Sequence, residues 1–298
     1  MGDDKEVLAQ RFEEHRGHLK AVAYRMLGSL TEADDAVQEA WLRLGRTDTA
    51  AIDNLGGWLT TVTGRICLDM LRSRTARREQ PMDDTFVPDP VIRPVSVPST
   101  DPEQEALQAD SVGVALLVVL EKLEPDERLA FVLHDMFAVP FDDIAPVVER
   151  NAAATRQLAS RARRRVRDTT PPSDLDLGRQ RQVLEAFMAA ARGGDFEALV
   201  AVLHPDVVLR ADAGALVRGV AGSKVLRGAK PVAESAMLFS RYTAAGRLAL
   251  VNDSLGLLSV VDGRIQSVMS VTITDNRITS MHILADPSRL QHLQPPPP

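Results

Sequence analysis

The part of the chain before Pro171 shows apolar residues at the three- and four-residue spacing that is typical of amphipathic helices. A helical pattern covers residues 8–44 and is interrupted at Gly28 and Ser29. Thr31 and Asp34 stand in the positions of a capping box, with Asp in place of the usual Glu, and predict the start of the second helix. Further helices are predicted over residues 55–74, 103–123 and 126–137, followed by two more that end at Arg167.

The pattern changes after Pro172, where short helices and extended runs alternate. Met269, Val271 and Ile273 alternate with polar residues, as in a strand with one buried face. Asp262-Gly263 and Asp275-Asn276 are strong signals for two-residue hairpin turns. Helices followed by an antiparallel meander predict a curved sheet wrapped around helices, an α+β cone. Its helices are predicted over residues 178–192, 195–203 and 230–242, and its first strand over residues 207–211.

A proline-rich segment, residues 80–104, separates two groups of predicted helices. Its composition cannot bury enough apolar surface to fold by itself, so we expect a linker. The predicted fold class is therefore multidomain, with two all-α domains and a C-terminal α+β cone. The predicted boundaries are 8–79 for the first helical domain, 80–104 for the linker, 105–168 for the second helical domain and 174–290 for the cone.

Charge is segregated along the chain, although the net charge of -6 argues against a uniformly basic DNA-coating protein. Residues 150–167 contain seven arginines and no acid. Residues 79–110 contain eight acids, with Arg93 as their single basic residue. The linker is therefore acidic, and the helix that ends the second helical domain is strongly basic.

Composition also restricts location and chemistry. The first residues lack the basic and apolar stretches of a signal peptide, and no apolar run reaches the length of a membrane span, so we expect a cytoplasmic protein with no membrane contact. Cys67 is the single cysteine, and one chain can therefore form neither a disulfide nor a thiolate zinc site. We predict no metal site and no cofactor, and we expect Cys67 to be a buried small residue.

The basic segment at residues 140–167 has the pattern of a helix-turn-helix. Ala154, Leu158, Ala162 and Val166 form one apolar stripe, and Asn151 is placed to cap the second helix. Pro146 indicates that the first helix is short or kinked. The opposite face of the second helix carries the candidate DNA contacts Arg156, Gln157, Ser160, Arg163, Arg164 and Arg167.

These side chains suit two kinds of DNA contact. Arg156 and Gln157 are candidates for base contacts, because Arg pairs with guanine edges and Gln pairs bidentately with adenine. Arg163, Arg164 and Arg167 are candidates for phosphate contacts that set the position of the helix. The alternative is a solvated basic helix that ends a helical bundle.

A family resemblance rests on this helix-turn-helix and on two earlier segments. DDAVQEAWLRL at 34–44 resembles the polymerase-clamp-binding helix of sigma domain two, and WLTTVTGRICLDMLRSRTARRE at 58–79 resembles the helix of that domain that opens the minus 10 element. The helix-turn-helix resembles sigma domain four, which reads the minus 35 element. The resemblance covers residues 8–168 and implies an extracytoplasmic-function sigma factor that brings core RNA polymerase to promoter DNA.

The resemblance assigns roles to individual residues. The surface that docks on the polymerase clamp is expected to contain Asp34, Asp35, Gln38, Glu39 and Trp41. The surface that holds the minus 10 strand is expected to contain Arg65, Asp69, Arg72 and Arg74. The loop over residues 47–54 lies where this family captures an extruded base.

Residues 174–290 are similar to SnoaL-like domains of the ketosteroid-isomerase and nuclear-transport-factor superfamily. Sigma factors with this extension form a known subgroup, in which the domain is implicated in regulating the protein's own activity in place of a separate anti-sigma factor. Its WLPEP-like, DGGGK-like and NPDKL-like motifs are echoed at residues 86–90, 212–214 and 286–290, and the first echo lacks Trp. Candidate intramolecular contacts with the linker and sigma domains are Pro88, Asp89, Pro90, Asp212, Gly214, Asp286, Pro287, Arg289 and Leu290.

Two other interpretations concern the cone. It could be an isomerase-like or cyclase-like enzyme, or the ligand sensor of a one-component regulator. A simple repressor has no use for a clamp-binding acidic helix, and no base and partner acid converge in the sequence pattern. His204 and Asp206 fit a turn that ends a helix. His282 could be a cavity residue or a core histidine, and the core position is favoured. The titratable groups available to an enzyme are His204, Asp206, Asp212, Asp253 and His282.

Overall fold

The computed structural model describes residues 2–48, 52–76, 85–95, 113–169, 176–214, 222–240, 246–252 and 254–296. The chain divides into two compact units. The first, here the helical unit, comprises Met1–Pro81, Ser99–Ser111 and Val119–Thr169. The second, here the cone unit, comprises Met82–Pro98, Val112–Val118 and Thr170–Pro298. The predicted fold class, helical domains followed by an α+β domain, is confirmed.

Three helices form the first part of the helical unit: α1 (Gly2–Leu27), α2 (Leu30–Leu44) and α3 (Leu55–Ala76). They share a core that contains Phe12, Leu19, Val37 and Leu59. Cys67 is buried, as expected. In the described part of the chain, no helix is both long and apolar enough to span a membrane.

The start of α2 differs from the prediction. Ser29 is the N-cap, and its Oγ accepts a hydrogen bond from the Glu32 backbone N at 3.5 Å. Gly28, at φ +69°, ends α1 one residue earlier, so the chain turns directly into Ser29. The predicted capping box at Thr31 and Asp34 is therefore wrong, because the cap residue lies two positions earlier.

The second part of the helical unit follows the linker. Its helices are α4 (Val114–Glu121), α5 (Pro125–Phe131), which continues as a π-helical turn at Val132–Met136, α6 (Phe141–Ile144) and α7 (Ala152–Thr169). By this division, the residues of α4 up to Val118 belong to the cone unit, and those from Val119 belong to the helical unit. As Pro146 predicts, the first helix of the helix-turn-helix, α6, is short.

The cone unit contains α8 (Leu177–Gly193), α9 (Phe196–Val202), α10 (Ala229–Leu238) and α11 (Pro287–Leu290). Its strands are β1 (Ile92–Arg93), β2 (Leu203–Asp212), β3 (Lys224–Arg227), β4 (Gly246–Val251), β5 (Ser254–Val261), β6 (Arg264–Thr274) and β7 (Arg277–Leu284). They form one sheet in the order β1-β4-β5-β6-β7-β2-β3. Only the β2–β7 pairing is parallel among these strands.

Both predicted hairpin turns are present. Asp262 and Gly263 join β5 to β6 with φ of +51° and +73°, and Asp275 and Asn276 join β6 to β7 with φ of +52° and +58°. A type I′ turn requires positive φ at both central residues, and Asp-Gly and Asx-Asn pairs adopt it at low cost.

The prediction that β6 has one buried face is wrong. Met269 and Val271 belong to the main core with α8, α9 and α10, but Ser270 and Thr272 on the other face are only 6% and 5% exposed. Val268 lies on that other face in a second apolar cluster. This cluster also contains Val87 from the linker, Val114 and Val118 from α4, and Leu290 from α11.

Part of the predicted linker folds on the cone sheet. β1 pairs antiparallel with β4, and the Asn252 side chain accepts a hydrogen bond from the Val91 backbone N at 3.0 Å. Asn252 also donates its backbone N–H to the Val91 carbonyl at 2.9 Å. Residues 85–95 are therefore part of the cone unit, whereas residues 96–104 lie outside the described residues.

Candidate functional site

The predicted polymerase-binding surface lies on α2. The residues Ala33, Ala36, Val37, Ala40 and Leu44 bury the opposite stripe of this helix, because they recur at helical spacing. Asp34, Asp35 and Gln38 are exposed as a result, and Glu39 is half-buried.

Two of these acids have partners within the helical unit. Asp34 lies 2.8 Å from Lys20 Nζ, and Glu39 binds Arg43 one turn later at 3.0 Å. Trp41 is half-buried, and its ring lies 5.1 Å from the Phe12 ring, so part of it belongs to the core.

The predicted minus 10 residues lie on α3. Arg65 and Asp69 are exposed one turn apart on this helix. Arg72 pairs with Asp126 of α5 at 2.9 Å, and Arg74 pairs with Glu32 of α2. Two of the cations expected to hold DNA are therefore bound by carboxylates of the helical unit.

The loop predicted to capture a base lies partly outside the described residues, which omit 49–51. At its described end, the Asn54 side chain accepts a hydrogen bond from the Gly57 backbone N at 3.0 Å. Asn54 therefore caps the N-terminus of α3.

The recognition helix α7 begins as predicted. The Asn151 side chain caps it by accepting a hydrogen bond from the Ala154 backbone N at 2.8 Å. Leu158 and Ala162 are buried, but Ala154 is only half-buried. The buried stripe instead includes Thr155, so it is centred one residue later than the sequence pattern predicts.

All six predicted DNA contacts of α7 are exposed: Arg156, Gln157, Ser160, Arg163, Arg164 and Arg167. Arg163 pairs with Asp135 at 2.5 Å, and the Arg156 guanidinium lies 5.5 Å from the centre of the Phe141 ring. The turn before the helix depends on Glu149, which has φ +55°.

Sequence reasoning missed an ion cluster under α7. Glu127 of α5 is buried and accepts hydrogen bonds from Arg161 at 2.7 Å and from Arg165 at 2.9 Å. The only sequence signal for this cluster is the spacing of the two arginines by one helical turn, which places them on the same side of α7. They fasten α7 to α5 and so set which side of α7 faces outwards.

The three motif echoes of the cone meet at Arg289. Its Nε donates to Asp89 at 2.7 Å, its Nη1 donates to Asp212 at 2.8 Å, and its Nη2 donates to the Val87 carbonyl at 2.6 Å. The guanidinium also lies 4.9 Å from the centre of the Phe86 ring. Its side chain is 19% exposed, so the charges are mostly withdrawn from water. We call Arg289, Asp89 and Asp212 the linker clasp.

Neighbouring motif residues hold the linker clasp in place. Asp212 accepts backbone hydrogen bonds from Gly214 at 3.1 Å and from Val87 at 3.4 Å. Asp286 caps α11 by accepting from the Ser288 backbone N at 2.9 Å. Gly214 has φ +75°, and a Cβ there would lie 2.6 Å from Asp286 Cγ, so only glycine fits. The remaining predicted contacts are Pro88 and Pro90, which are buried beside Asp89, Pro287, which begins α11, and Leu290, which is buried in the second cluster.

A cavity of about 290 Å³ lies inside the cone. His204, Asp206, Asp212 and His282 are not among its lining residues, and Asp253 lies outside the described residues. His204 and Asp206 lie in the irregular first part of β2, where the Asp206 backbone N donates to His204 Nδ1 at 3.1 Å. The expected helix-ending turn is therefore part of a strand.

His282 is a buried residue of β7. It is 2% exposed, and burial, with a smaller contribution from the Arg210 charge, lowers its pKa to about 3. The imidazole is therefore neutral at ordinary pH.

Comparison with known proteins defines the class. The sigma-70 region 2 family matches residues 11–77, and the sigma-70 region 4 family matches residues 113–166. The chain belongs to the extracytoplasmic-function sigma factors and carries a C-terminal SnoaL-like domain. It functions in promoter-specific transcription initiation.

Two relatives match over nearly the whole chain. The ECF RNA polymerase sigma factor SigJ of Mycobacterium tuberculosis (strain ATCC 25618 / H37Rv) is 39% identical over 294 residues, which cover 93% of this chain and 91% of the relative. The probable ECF RNA polymerase sigma factor SigI of Mycobacterium tuberculosis (strain CDC 1551 / Oshkosh) is 36% identical and covers 94% and 93%. The crystal structure of Mycobacterium tuberculosis SigJ aligns with a TM-score of 0.73 at 37% identity and covers 95% of this chain and 98% of that chain.

Proposed function

We propose that this sigma factor docks on core RNA polymerase through the carboxylates of α2 and reads the minus 35 element with α7. The exposed acids Asp34 and Asp35 support the first part, because an acidic patch attracts a basic partner surface. The exposed polar and basic face of α7 supports the second part. The proposed place of action is the cytoplasm, where core polymerase transcribes.

The minus 10 surface of α3 is proposed to be closed in the free protein. Arg72 is paired with Asp126, and Gly64 of α3 lies against Leu129 and Leu133 of α5, where a Cβ would be 3.0 Å from Leu133 Cδ1. A promoter phosphate must displace Asp126 before Arg72 can bind DNA. Separation of α3 from α5 on polymerase would free both surfaces.

The cone is proposed to regulate this opening by holding the linker that joins the two sigma domains. The observation that carries the proposal is the linker clasp, in which Arg289 binds Asp89, Asp212 and the Val87 carbonyl. The clasp contacts are proposed to form in the closed state and to be absent from the open state. They would then stabilise the closed state by the free energy of these contacts. The cone would then replace a separate anti-sigma factor.

The cone is proposed to act without catalysis. The four described candidates for an acid or base lie outside the cavity lining, and Asp212 serves the linker clasp. The relatives SigJ and SigI are named as sigma factors.

Run-off transcription from one promoter with core polymerase tests the proposal. Arg289→Met should raise output by about tenfold or more, since removal of the cation leaves the mostly buried carboxylates of Asp89 and Asp212 unpaired and destabilises the clasped form. Removal of the tail from Asp286 should raise output in the same direction. We propose that the rest of the cone has a second, activating role and holds the linker in a path that suits polymerase. Truncation after Asp168 should therefore lower output.

Arg264→Met is the matched control, because Arg264 is exposed at the start of β6 and outside the clasp. Equal output from the Arg289 and Arg264 variants would refute regulation by the clasp. Equal output from the full chain and both truncations would show that the cone does not regulate the sigma domains.

A further inference from the structure

The cavity of the cone has apolar walls and a size suited to a small ligand. It lies among α8, α10 and the concave face of the sheet, and its volume is about 290 Å³. Ligand pockets in proteins usually measure about 300 to 1,000 Å³, so this cavity is slightly smaller than the usual range and suits a small ligand. Its apolar walls include Phe187, Leu209, Leu257, Met269, Met281 and Ile283.

One cation lies in this apolar lining. Among the lining residues of the described chain, Lys224 is the single ionisable group. Its Nζ donates to Ser235 Oγ at 3.0 Å and lies 4.6 Å from the centre of the Phe239 ring. Burial lowers the pKa of Lys224, because the charged ammonium loses hydration there.

A buried hydroxyl provides the second polar group. Ser259 is 5% exposed, lines the cavity and has no hydrogen-bond partner for its Oγ within the described residues. The β5–β6 register shifts directly after Ser259. The opposite residue on β6 is Ser267, which also lines the cavity. A buried hydroxyl without a partner is costly, so this side chain suits a polar atom inside the cavity.

We propose that the cone cavity binds a small carboxylic acid with an apolar body, whose carboxylate contacts Lys224, and that the Ser259 hydroxyl bonds a polar atom of the ligand. One ammonium group matches a singly charged carboxylate, and the apolar walls match a hydrocarbon body. A phosphate ester carries about two negative charges, more than Lys224 alone would match. This binding activity is separate from promoter recognition, and Asp89, Asp212 and Arg289 are not among the described lining residues.

Calorimetry on the full-length protein tests the proposal. The probes are straight-chain carboxylates from butanoate to dodecanoate, and the methyl ester of the acid that binds best. We expect a clear optimum of chain length and about tenfold or greater preference for the acid over its ester, which is the size expected for a charged hydrogen bond. Absence of binding by every acid at about 1 mM, a level that corresponds to weak affinity, would overturn the proposal.

Two variants locate the site. Lys224→Met should weaken the acid by about tenfold or more while the ester still binds, because the charge is removed and the walls remain. Lys230→Met is the control, since Lys230 is exposed on α10 and does not line the cavity. Unchanged acid affinity in Lys224→Met would refute the assignment.

A third variant, Lys224→Arg, distinguishes damage to the cavity from loss of the Lys224 contact. If Lys224→Met binds neither acid nor ester, Lys224→Arg decides: retained acid preference supports a cationic contact, and lost preference contradicts it. Ser259→Ala should weaken the acid by a smaller factor, because a neutral hydrogen bond is weaker than a charged one. The measurement contains no polymerase or DNA, so its failure leaves the proposed transcription function untouched.

Discussion

Arg289 shows how one side chain can join three distant parts of a chain. Its guanidinium binds Asp89 of the linker, Asp212 at the end of β2 and the Val87 carbonyl. A planar fork with several donors suits this task, whereas a lysine offers one point charge. Removal of Arg289 would leave two mostly buried carboxylates without their cation, which is why its loss should release the linker.

The α2 acids differ in how much each is already engaged. Asp34 and Glu39 have partners within the helical unit, whereas Asp35 is exposed. Asp35→Lys should weaken binding to core polymerase by about threefold to tenfold, with a larger effect at low salt, because the opposed patches attract through the solvent. Fluorescence titration at two salt concentrations measures this.

Glu14→Lys is the control for this prediction, since it makes the same charge change at an exposed position of α1. Equal losses in both variants would indicate a general charge effect and would remove Asp35 from the docking surface.

His282 gives the cone a pH dependence. Burial lowers its pKa from 6.5 to about 3. Between these two pH values the imidazole is protonated in the unfolded state and neutral in the folded state. Because this pKa is depressed, the contribution of His282 to the free energy of unfolding is complete above pH 6.5 and is lost progressively as pH falls from 6.5 towards 3. In that window the free energy of unfolding should fall by about 1.4 kcal/mol for each pH unit.

His282→Gln should flatten this dependence in urea unfolding compared at about pH 7.5 and about pH 5, which lie on the two sides of the unfolded pKa. His292→Gln, at an exposed position, should leave it as in the parent chain. An unchanged pH dependence in His282→Gln would show that another group is responsible.

At the scale of elements, the orientation of α7 decides which residues can enter a major groove. Thr155, Leu158 and Ala162 are buried, and Arg161 and Arg165 are bound by Glu127. The remaining face is therefore available to DNA. Hairpins and helices are the elements that the sequence predicted best, because their signals lie within a few residues.

This orientation separates two kinds of contact on α7. Gln157→Ala should relax preference at one or two bases, since a bidentate base contact is worth about 1 to 3 kcal/mol of discrimination. Arg164→Ala should weaken all promoters nearly equally and flatten the salt dependence, as expected for a phosphate contact. Binding to a promoter library at two salt concentrations distinguishes them. A base-specific defect in Arg164→Ala would mean that α7 is rotated from the assigned orientation.

At the scale of the whole molecule, the helical unit pairs Arg72, which is proposed to bind minus 10 DNA, with its own Asp126. Asp126→Asn should release Arg72 and raise the affinity of the free protein for single-stranded minus 10 DNA by about threefold, since a part-exposed ion pair is worth up to about 1 kcal/mol. Fluorescence anisotropy without polymerase measures this. Asp142→Asn, at an exposed position on α6, is the control. No difference between the variants would contradict a closed minus 10 surface.

The sequence alone determined the order of domains, the helix-turn-helix, both hairpin turns and the family. These depend on local signals: the 3.6-residue period of helices, the positive φ of Asp-Gly and Asp-Asn turns, and motifs within single helices. The cap of α2 was misplaced by two residues, because Ser29 and Thr31 are both suitable N-cap residues. The centre of the α7 stripe was misplaced by one residue, because Thr155 is buried with its hydroxyl donating to the Asn151 carbonyl.

Only the tertiary structure decided how distant segments meet. Residues 85–95 have a linker's composition, yet they pair with β4 and join α4 and α11 in the second apolar cluster, on the face of β6 that was predicted to be exposed. Asp89 and Arg289 are 200 positions apart, so no local pattern could pair them. Burial against other segments withdraws such charges from water, where an unpaired charge is costly, so tertiary contacts and not the local sequence select their partners.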